Sequence, residues 1–474
     1  MEQKRKELTP FFYPENIAVV GVSSTNLEFG GASFLAKLKE SGFAGGLYPI
    51  NPKAKEIMGL KAFPDLSSLP LTPELAMVCV PARHVPSVLD ECSRIGLRHI
   101  HILTSGFKET GTAEGIRLEK EIASIAEEKN LFIMGPNCMG PYCPSSGLTA
   151  WGAIPGISGP VGIISQSGGI TQRLTEYLCF LGVGVDKAVS TGNSTVLNVL
   201  DYLEFMAEDP NIKVIALYLE GLSECHHLLP LARKTSLKKP LVLWKGGSSE
   251  AGSATAASHT GSMAGKPELW SSFFRQTCSV PVESMDEWAD SVIAFSNLSE
   301  PRGNGVFLLG GGGGNSVTGS DTCVREGLTV PSLSEKTMSW LRATVPQAGS
   351  IAGNPLDDWR VFGDPVYLGQ ILDQAYRDPA ISMVIIDRLI PRKAFHSFDE
   401  TDPTPRVIDM IKSRPNRKPT VFTVDSEGGD PELAAKGAKM RGQFGNAGIP
   451  AFPSLQRAAK ALARLQRYHE RKKT

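Results

Sequence analysis

The chain has 474 residues, with 49 basic and 49 acidic side chains and a formal net charge of zero. That length exceeds one hydrophobic core and predicts two to four domains of ordinary size. The balanced charge excludes a field that would draw the chain to nucleic acid or to an anionic membrane, so partners must be chosen by shape and local chemistry. Eight cysteines are scattered along it. Cys138 and Cys143 are close, but no second Cys or His pair completes a tetrahedral metal site, so they read as reduced thiols. The segment Met1-Glu2-Gln3-Lys4-Arg5-Lys6 is charged, and no apolar stretch long enough for a signal peptide or a membrane span follows it. The expected location is the cytoplasm.

From residue 16 to about 142, short Val/Ile-rich runs alternate with amphipathic stretches. Strands are predicted at 17–20, 46–50, 75–80, 99–103 and 131–134, with helices such as 85–95 and 115–129 between them. This pattern gives a parallel sheet covered on both faces, a Rossmann-like domain at 8–142. Gly21-Val22-Ser23-Ser24 directly follows the first strand and Gly30-Gly31 opens the next helix, so backbone N–H groups there can approach a phosphate closely. The turn departs from G-x-G-x-x-G, and no acidic residue ends the second strand to take a ribose diol. That strand instead runs into Asn51-Pro52-Lys53. A cation at this place suits a phosphate-rich ligand such as coenzyme A better than a dinucleotide, although the residues alone also fit a solvated surface lysine.

A proline and glycine cluster at 141–160 separates this region from a second alternating one, assigned to a domain at 143–300. A strand at 162–164 runs into Ser165-Gln166-Ser167-Gly168-Gly169 and then a helical pattern at 170–181. Gly192-Asn193-Ser194 follows a short strand and precedes a helix at 196–206. A further strand, 213–219, ends in Glu220-Gly221. Beyond another buried strand comes the run 257–265, Ala-Ser-His-Thr-Gly-Ser-Met-Ala-Gly, whose small residues leave the imidazole of His259 accessible on a loop. The Glu220 carboxylate would orient that ring, and the N–H groups at the start of the 170–181 helix would hold a phosphoryl group. Ser258, Thr260 and Gly261 also read as ordinary helix caps. His84, His99, His101, His226, His227, His396 and His469 read as surface or core fillers, and from residues alone His259 stays open between filler and nucleophile.

A third region, 301–467, opens at Pro301-Arg302-Gly303-Asn304-Gly305 and has strands at 306–309, 383–387 and 420–424. It repeats the second. Residues 161–185 align without gaps on 306–330, sharing Val161/Val306, Gly168/Gly313, Gly169/Gly314, Gly182/Gly327 and Val185/Val330. Asp209-Pro210 then matches Asp378-Pro379, and Lys239-Pro240 matches Lys418-Pro419. Both regions are expected to be flavodoxin-like, unless they share glycine turns only because helices after parallel strands need them. Extending the alignment places Leu389 opposite Glu220 and Ala438 opposite His259, so the third region is a degenerate repeat without either chemical group. Gly310 to Gly314 is glycine-rich but lacks the Lys-Ser/Thr of a Walker A loop.

The motifs at 258–265 (SHTGSMAG), 218–221 (YLEG), 165–169 (SQSGG), 135–140 (GPNCMG) and 51–53 (NPK) occur in the order and spacing of the NDP-forming acyl-CoA synthetases. From about Leu8 to Arg467 the chain resembles their alpha subunit or alpha region, known from ADP-forming acetyl-CoA synthetase and related to succinyl-CoA synthetase. The resemblance implies an α/β architecture: a Rossmann-like CoA-binding domain followed by two flavodoxin-like doubly wound domains. It implies the interconversion of acyl-CoA, phosphate and NDP with a carboxylic acid, CoA and NTP, through an acyl phosphate and a phosphohistidine at His259 oriented by Glu220. Ser165, Gln166, Ser167, Gly168 and Gly169 would cradle the phosphoryl group. Gly21, Val22, Ser23, Ser24, Lys53, Val80, Pro81, Ser105, Gly106, Phe107, Pro136 and Asn137 would line the coenzyme A site. No segment looks like an ATP-grasp domain, so a separate beta subunit carrying that fold is implied, with Mg²⁺ and ATP/ADP or GTP/GDP bound there in a hetero-oligomer. No nucleic acid or membrane is involved, and the acid substrate, small or aromatic, stays open. The rival expectations are a nucleotide-independent CoA transferase or lyase and a non-catalytic CoA or acyl-CoA sensing module. A dehydrogenase is disfavoured by Lys53 and the missing ribose-binding acid.

Overall fold

The computed structural model describes residues 7–23, 30–152, 154–221, 225–253, 255, 267–346, 349–390, 402–425 and 430–473. Two compact units emerge: Met1–Cys179 with Gly184–Ser284, and Phe180–Val183 with Met285–Thr474. Ser24 and His259 lie outside the described residues.

The first unit holds two large sheets. β1 (Asn16–Val20), β2 (Gly46–Ile50), a small antiparallel hairpin of β3 (Glu56–Ile57) and β4 (Leu60–Lys61), β5 (Leu75–Val78), β6 (His99–Ile102) and β7 (Phe132–Met134) follow in chain order. The first sheet runs β2-β1-β5-β6-β7 and is wholly parallel. Helices Val85–Arg94 and Ala113–Lys129 stand where the amphipathic pattern places them, and their Val85, Leu89, Leu118 and Ile122 join the core with Val78, Ile100 and Ile133. β1 and β5, in the middle of the sheet, are almost wholly apolar, as strands buried on both faces are, and are easily read from the sequence.

The second sheet comprises β8 (Gly140–Tyr142), β9 (Val161–Ser165), β10 (Val185–Ser190), β11 (Val214–Leu219), β12 (Leu241–Lys245) and β13 (Val280–Val282), in the order β13-β12-β11-β9-β10-β8. All its pairings are parallel except that of β8, which runs antiparallel along β10. Pro141 is tolerated in β8 because it is an edge strand. Lys187 on β10 is fully buried, ion-paired to Asp186 and, at 2.8 Å, to Asp209, with its ammonium 5.0 Å from the centre of the Tyr13 ring. Burial alone would lower its pKa, but hydrogen bonds to Asp186, Asp209 and Tyr13 carry it above the ordinary lysine range.

In the second unit β14 (Val306–Gly310), β15 (Met383–Leu389), β16 (Thr420–Asp425) and β17 (Ala451–Phe452) form a parallel sheet in sequential order. Helix Leu455–Lys473 packs on helix Met285–Asn297, with Arg457 bound to Asp290 at 2.7 Å and Arg464 to Glu287 at 2.6 Å. The sequence alignment sets β9 beside β14 and β11 beside β15. Val161 pairs with Val214 on the neighbouring strand, and Val306, its counterpart, pairs with Met383. Six residues on from Val214 and Met383 lie Glu220, just past the end of β11, and Leu389, the last residue of β15. Ile215 pairs with Leu241, and Val384 with Thr420.

Lys187→Met should destabilise the first unit by about 3–5 kcal/mol, because it strands two buried carboxylates without their cation. The urea midpoint of the variant, against wild type at equal pH, measures this.

Candidate active site

The carboxyl ends of β9, β11 and β12 lie side by side, since Ser165 pairs with Tyr218 and Leu219 with Lys245. In open parallel sheets this edge is where ligands bind. Here the chain leaves β9 through Ser165-Gln166-Ser167 into helix Gly168–Phe180. Ser165 is buried; its hydroxyl donates to the Ser167 carbonyl at 2.9 Å and accepts the Ser167 amide at 3.0 Å, which fixes the turn. The Ser167 hydroxyl caps the helix by accepting the Ile170 amide at 3.4 Å. Among the described residues the amides of Gly168 and Gly169 have no hydrogen-bond partner. A Cβ on Gly169 would meet nothing within 4 Å, so open space lies beside it. N–H groups at the positive end of a helix are of the kind that can hold an anion.

Gln166 faces the other way. Its Oε1 accepts the Glu220 amide at 2.7 Å and the Gly221 amide at 3.1 Å, and its Nε2 donates to the Gly221 carbonyl at 2.7 Å. The side chain therefore ties the turn after β9 to the end of β11. Glu220, 9% exposed, accepts a hydrogen bond from the Tyr218 hydroxyl at 3.3 Å. Burial and the neighbouring Glu220 charge push the Tyr218 hydroxyl above its ordinary pKa and keep it a neutral donor. Lys245, buried at the end of β12, donates to the Glu220 carbonyl at 2.8 Å, and its ammonium lies 5.3 Å from the Trp270 ring centre. Sequence reasoning misses Lys245 because it ends a strand as many surface lysines do.

The predicted coenzyme A rim gathers at the carboxyl edge of the first sheet. Gly21 (φ 89°) turns the chain off β1, where a Cβ would come within 2.9 Å of Val80. Its amide and that of Val22 donate to the Ile50 carbonyl at 3.2 and 3.4 Å, and Asn51 donates to the Val22 carbonyl at 2.7 Å. Asn51 Oδ1 accepts the Lys53 amide at 2.8 Å, leaving the Lys53 side chain exposed. Thr104 donates to the Val80 carbonyl at 2.6 Å and its own carbonyl accepts the Asn137 amide at 2.9 Å. Ser105 and Pro81 are exposed, Pro136 is buried, and Phe107 is fully buried in the core, so Phe107 contributes backbone position rather than a contact surface.

Two supports behind these loops were not legible in the sequence. His101, expected to be a filler, is fully buried with Nε2 3.1 Å from the Cys138 carbonyl, so that nitrogen carries the proton and steadies the loop 135–140 from beneath. Trp151, also fully buried, donates to the Met139 carbonyl at 2.9 Å, and Met139 in turn lies against Gly168, where a Cβ would be 2.7 Å from its Cγ. Trp151 therefore supports that loop from the interior.

Residues 15–144 match a family model described as a CoA binding domain, and residues 158–295 one described as a succinyl-CoA ligase like flavodoxin domain. The chain is 32% identical over 466 residues to the acetate–CoA ligase (ADP-forming) I subunit alpha of Pyrococcus furiosus, covering 97% of both chains. It is 33% identical over 413 residues to the II subunit alpha of the same organism, covering 87% of this chain and 88% of the relative. The chain belongs to the alpha subunits of the NDP-forming acyl-CoA synthetases. A solved structure of the dinucleotide forming acetyl-coenzyme A synthetase 1 of Ca. Korarchaeum cryptofilum, in complex with phosphate and ADP, superposes on it with a TM-score of 0.86 at 31% identity, covering 98% of this chain and 97% of that one. This alpha subunit is thus an acid–thiol ligase component with a CoA-binding domain, and alpha subunits work with a partner subunit. Among its described residues no helix is long and apolar enough to cross a membrane.

Gln166→Ala should cost about 2–3 kcal/mol, because it leaves the Glu220 and Gly221 amides without their acceptor; thermal unfolding of the variant checks this. A second expectation concerns pH. Burial lowers the His101 pKa from an ordinary 6.5 to about 4, so the native state favours the neutral ring. That contribution is fully present above the unfolded pKa and is lost as pH falls through 6.5 toward 4, about 3 kcal/mol in all. The urea midpoint of His101→Gln, which keeps a donor for Cys138, should therefore fall less steeply than wild type across that window.

Proposed function

We propose that this alpha subunit carries the phosphohistidine stage of acyl-CoA synthesis, with His259 as nucleophile and Glu220 as the carboxylate that orients its ring. The observation that carries the reading is the turn Ser165–Gly169: its unengaged Gly168 and Gly169 amides share a sheet edge with Glu220, to which Gln166 ties them. Ser167, Gly168 and Gly169 hold the phosphoryl group, while Ser165 and Gln166 hold the turn. The absence of the carboxylate at Leu389 supports one catalytic domain, at 143–300, with 301–467 a degenerate repeat and 8–142 the CoA-binding domain.

In the synthetic direction a nitrogen lone pair of His259 attacks the terminal phosphorus of the nucleotide, and the NDP oxygen leaves. Glu220 stabilises the charge on the ring as the bond forms. A substrate carboxylate oxygen then attacks phosphorus, the P–N bond breaks, and its electrons return to the imidazole. The CoA thiolate adds to the acyl phosphate carbonyl and phosphate leaves, so one hard condensation becomes three displacements. CoA is held at the edge of the first sheet by Gly21 to Ser24, Lys53, Val80-Pro81, the Ser105–Phe107 loop and Pro136-Asn137. The acid is a small carboxylate and the nucleotide ADP/ATP, as the names of the P. furiosus relatives support. A beta subunit with an ATP-grasp fold supplies the nucleotide and its Mg²⁺, and the pair works in the cytoplasm.

Incubated with acetyl-CoA and phosphate, the purified chain should gain one acid-labile phosphate, seen by intact mass, that His259→Ala abolishes and Glu220→Gln slows by about 100-fold or more. CoA binding without any phosphate gain would replace this reading with a sensing module, and acyl transfer without phosphorylation would replace it with a transferase.

A further inference from the structure

The loop after β10 sits between the two sheets of the first unit, and its chemistry is not used by the reaction above. The Thr191 amide donates to the Ser165 carbonyl at 2.9 Å, which joins this loop to the phosphate turn. Gly192 (φ 55°) then passes so close to the first domain that a Cβ would collide with the Pro136 carbonyl oxygen. Asn193 follows, and every polar atom it has is engaged across the junction. Its amide donates to the Pro136 carbonyl at 3.0 Å, its Oδ1 accepts from Asn137 at 3.4 Å, and its carbonyl accepts from Lys108 at 3.0 Å. Its Nδ2 donates to two carboxylates at once, Glu109 Oε2 at 2.6 Å and Glu119 Oε2 at 2.8 Å.

Those carboxylates reach the rim of the coenzyme site. The other oxygen of Glu109 accepts the amides of Gly106 at 2.6 Å and Phe107 at 3.1 Å. Glu119, 6% exposed, uses its second oxygen for Lys108 at 2.7 Å and Thr195 at 2.7 Å. Burial works to raise the Glu109 pKa, but the hydrogen bonds from Asn193, Gly106 and Phe107 hold it below the ordinary carboxylate range, so it stays charged. The amides of Gly106 and Phe107, which the family resemblance places in the coenzyme A site, are therefore already taken by a fixed anion. With those donors used inside the protein, the loop presents Ser105 and its backbone shape rather than free N–H groups.

We propose that Asn193 and Glu109 are positioning residues that set the spacing between the CoA rim and the phosphoryl-holding turn, so that the thiol meets the acyl phosphate in line. Resting on the reading under Proposed function, the strut serves the CoA-dependent displacement and leaves phosphoryl exchange with His259 untouched. Neither residue contacts the reacting atoms. Each acts through the loop it holds.

The test uses the full chain with Asn193→Asp, Glu109→Gln and the pair combined. Asn193→Asp faces two carboxylates with a third, and Glu109→Gln turns an acceptor into a donor against the Asn193 amide. In the pair the roles are exchanged: the new side-chain amide at position 109 can donate to the new carboxylate at position 193, while its carbonyl oxygen still accepts the Gly106 and Phe107 amides. By calorimetry each single variant should bind CoA at least about fivefold more weakly, and the double variant should bind more tightly than Asn193→Asp alone. Phosphorylation from acetyl-CoA plus phosphate should slow by about tenfold or more in Asn193→Asp, while phosphorylation from acetyl phosphate, which needs no CoA, should stay within about twofold of wild type. Equal loss by both routes, or strictly additive effects on CoA affinity at wild-type melting temperature, would overturn the strut. If wild-type chain takes phosphate by neither route, the phosphohistidine reading fails by itself, and the calorimetric cycle still decides whether Asn193 and Glu109 hold the CoA rim.

Discussion

The site depends on one side chain bridging two strand ends. Parallel neighbours β9 and β11 bring Ser165 and Tyr218 into register, but register alone does not fix where the chain goes after each strand stops. Gln166 does that, with three hydrogen bonds of 2.7 to 3.1 Å to Glu220 and Gly221. The phosphate turn leaves β9 toward its helix, the carboxylate leaves β11 toward the same edge, and the amide between them limits their relative motion. Such a connection is worth a few kcal/mol in stability. Its larger consequence is positional, since it fixes the backbone of Glu220 against the turn after β9.

The CoA side is built by the same means. Backbone donors of the predicted rim are mostly engaged: Gly21 and Val22 by Ile50, Asn137 by Thr104, Gly106 and Phe107 by Glu109. Rim loops satisfied internally keep their shape without a ligand. The phosphate turn differs, because its Gly168 and Gly169 amides carry no partner among the described residues. A preformed rim suits a large ligand recognised by shape, and open amides suit a small anion that comes and goes.

Much of this was legible in the chain itself. Parallel strands buried on both faces wrote themselves as Val/Ile runs, and the glycines at 21, 168 and 169 marked where backbone turns into helices. What escaped was long-range. Residues 140–142 read as the end of the first domain and the start of a linker, yet they pair with β10 in the second sheet, because an edge strand of Gly-Pro-Tyr has no strand signature. The phosphate-binding reading of Gln166 did not anticipate its bridge to β11, since nothing local distinguishes a side chain aimed at a ligand from one aimed at a neighbouring strand. Asn193 lies 84 residues from Glu109 and 74 from Glu119, and no motif marks their meeting across the junction. His259 itself falls outside the described residues, so its role continues to rest on the motif around it.

The central claim is that a phosphoryl group is held at the start of helix Gly168–Phe180 beside Glu220. A crystal structure of the chain grown with phosphate and coenzyme A tests it most directly. The account predicts a phosphate whose oxygens accept the Gly168 and Gly169 amides, on the same sheet edge as the Glu220 carboxylate. Phosphate bound elsewhere, with those two amides facing solvent or protein, would contradict it.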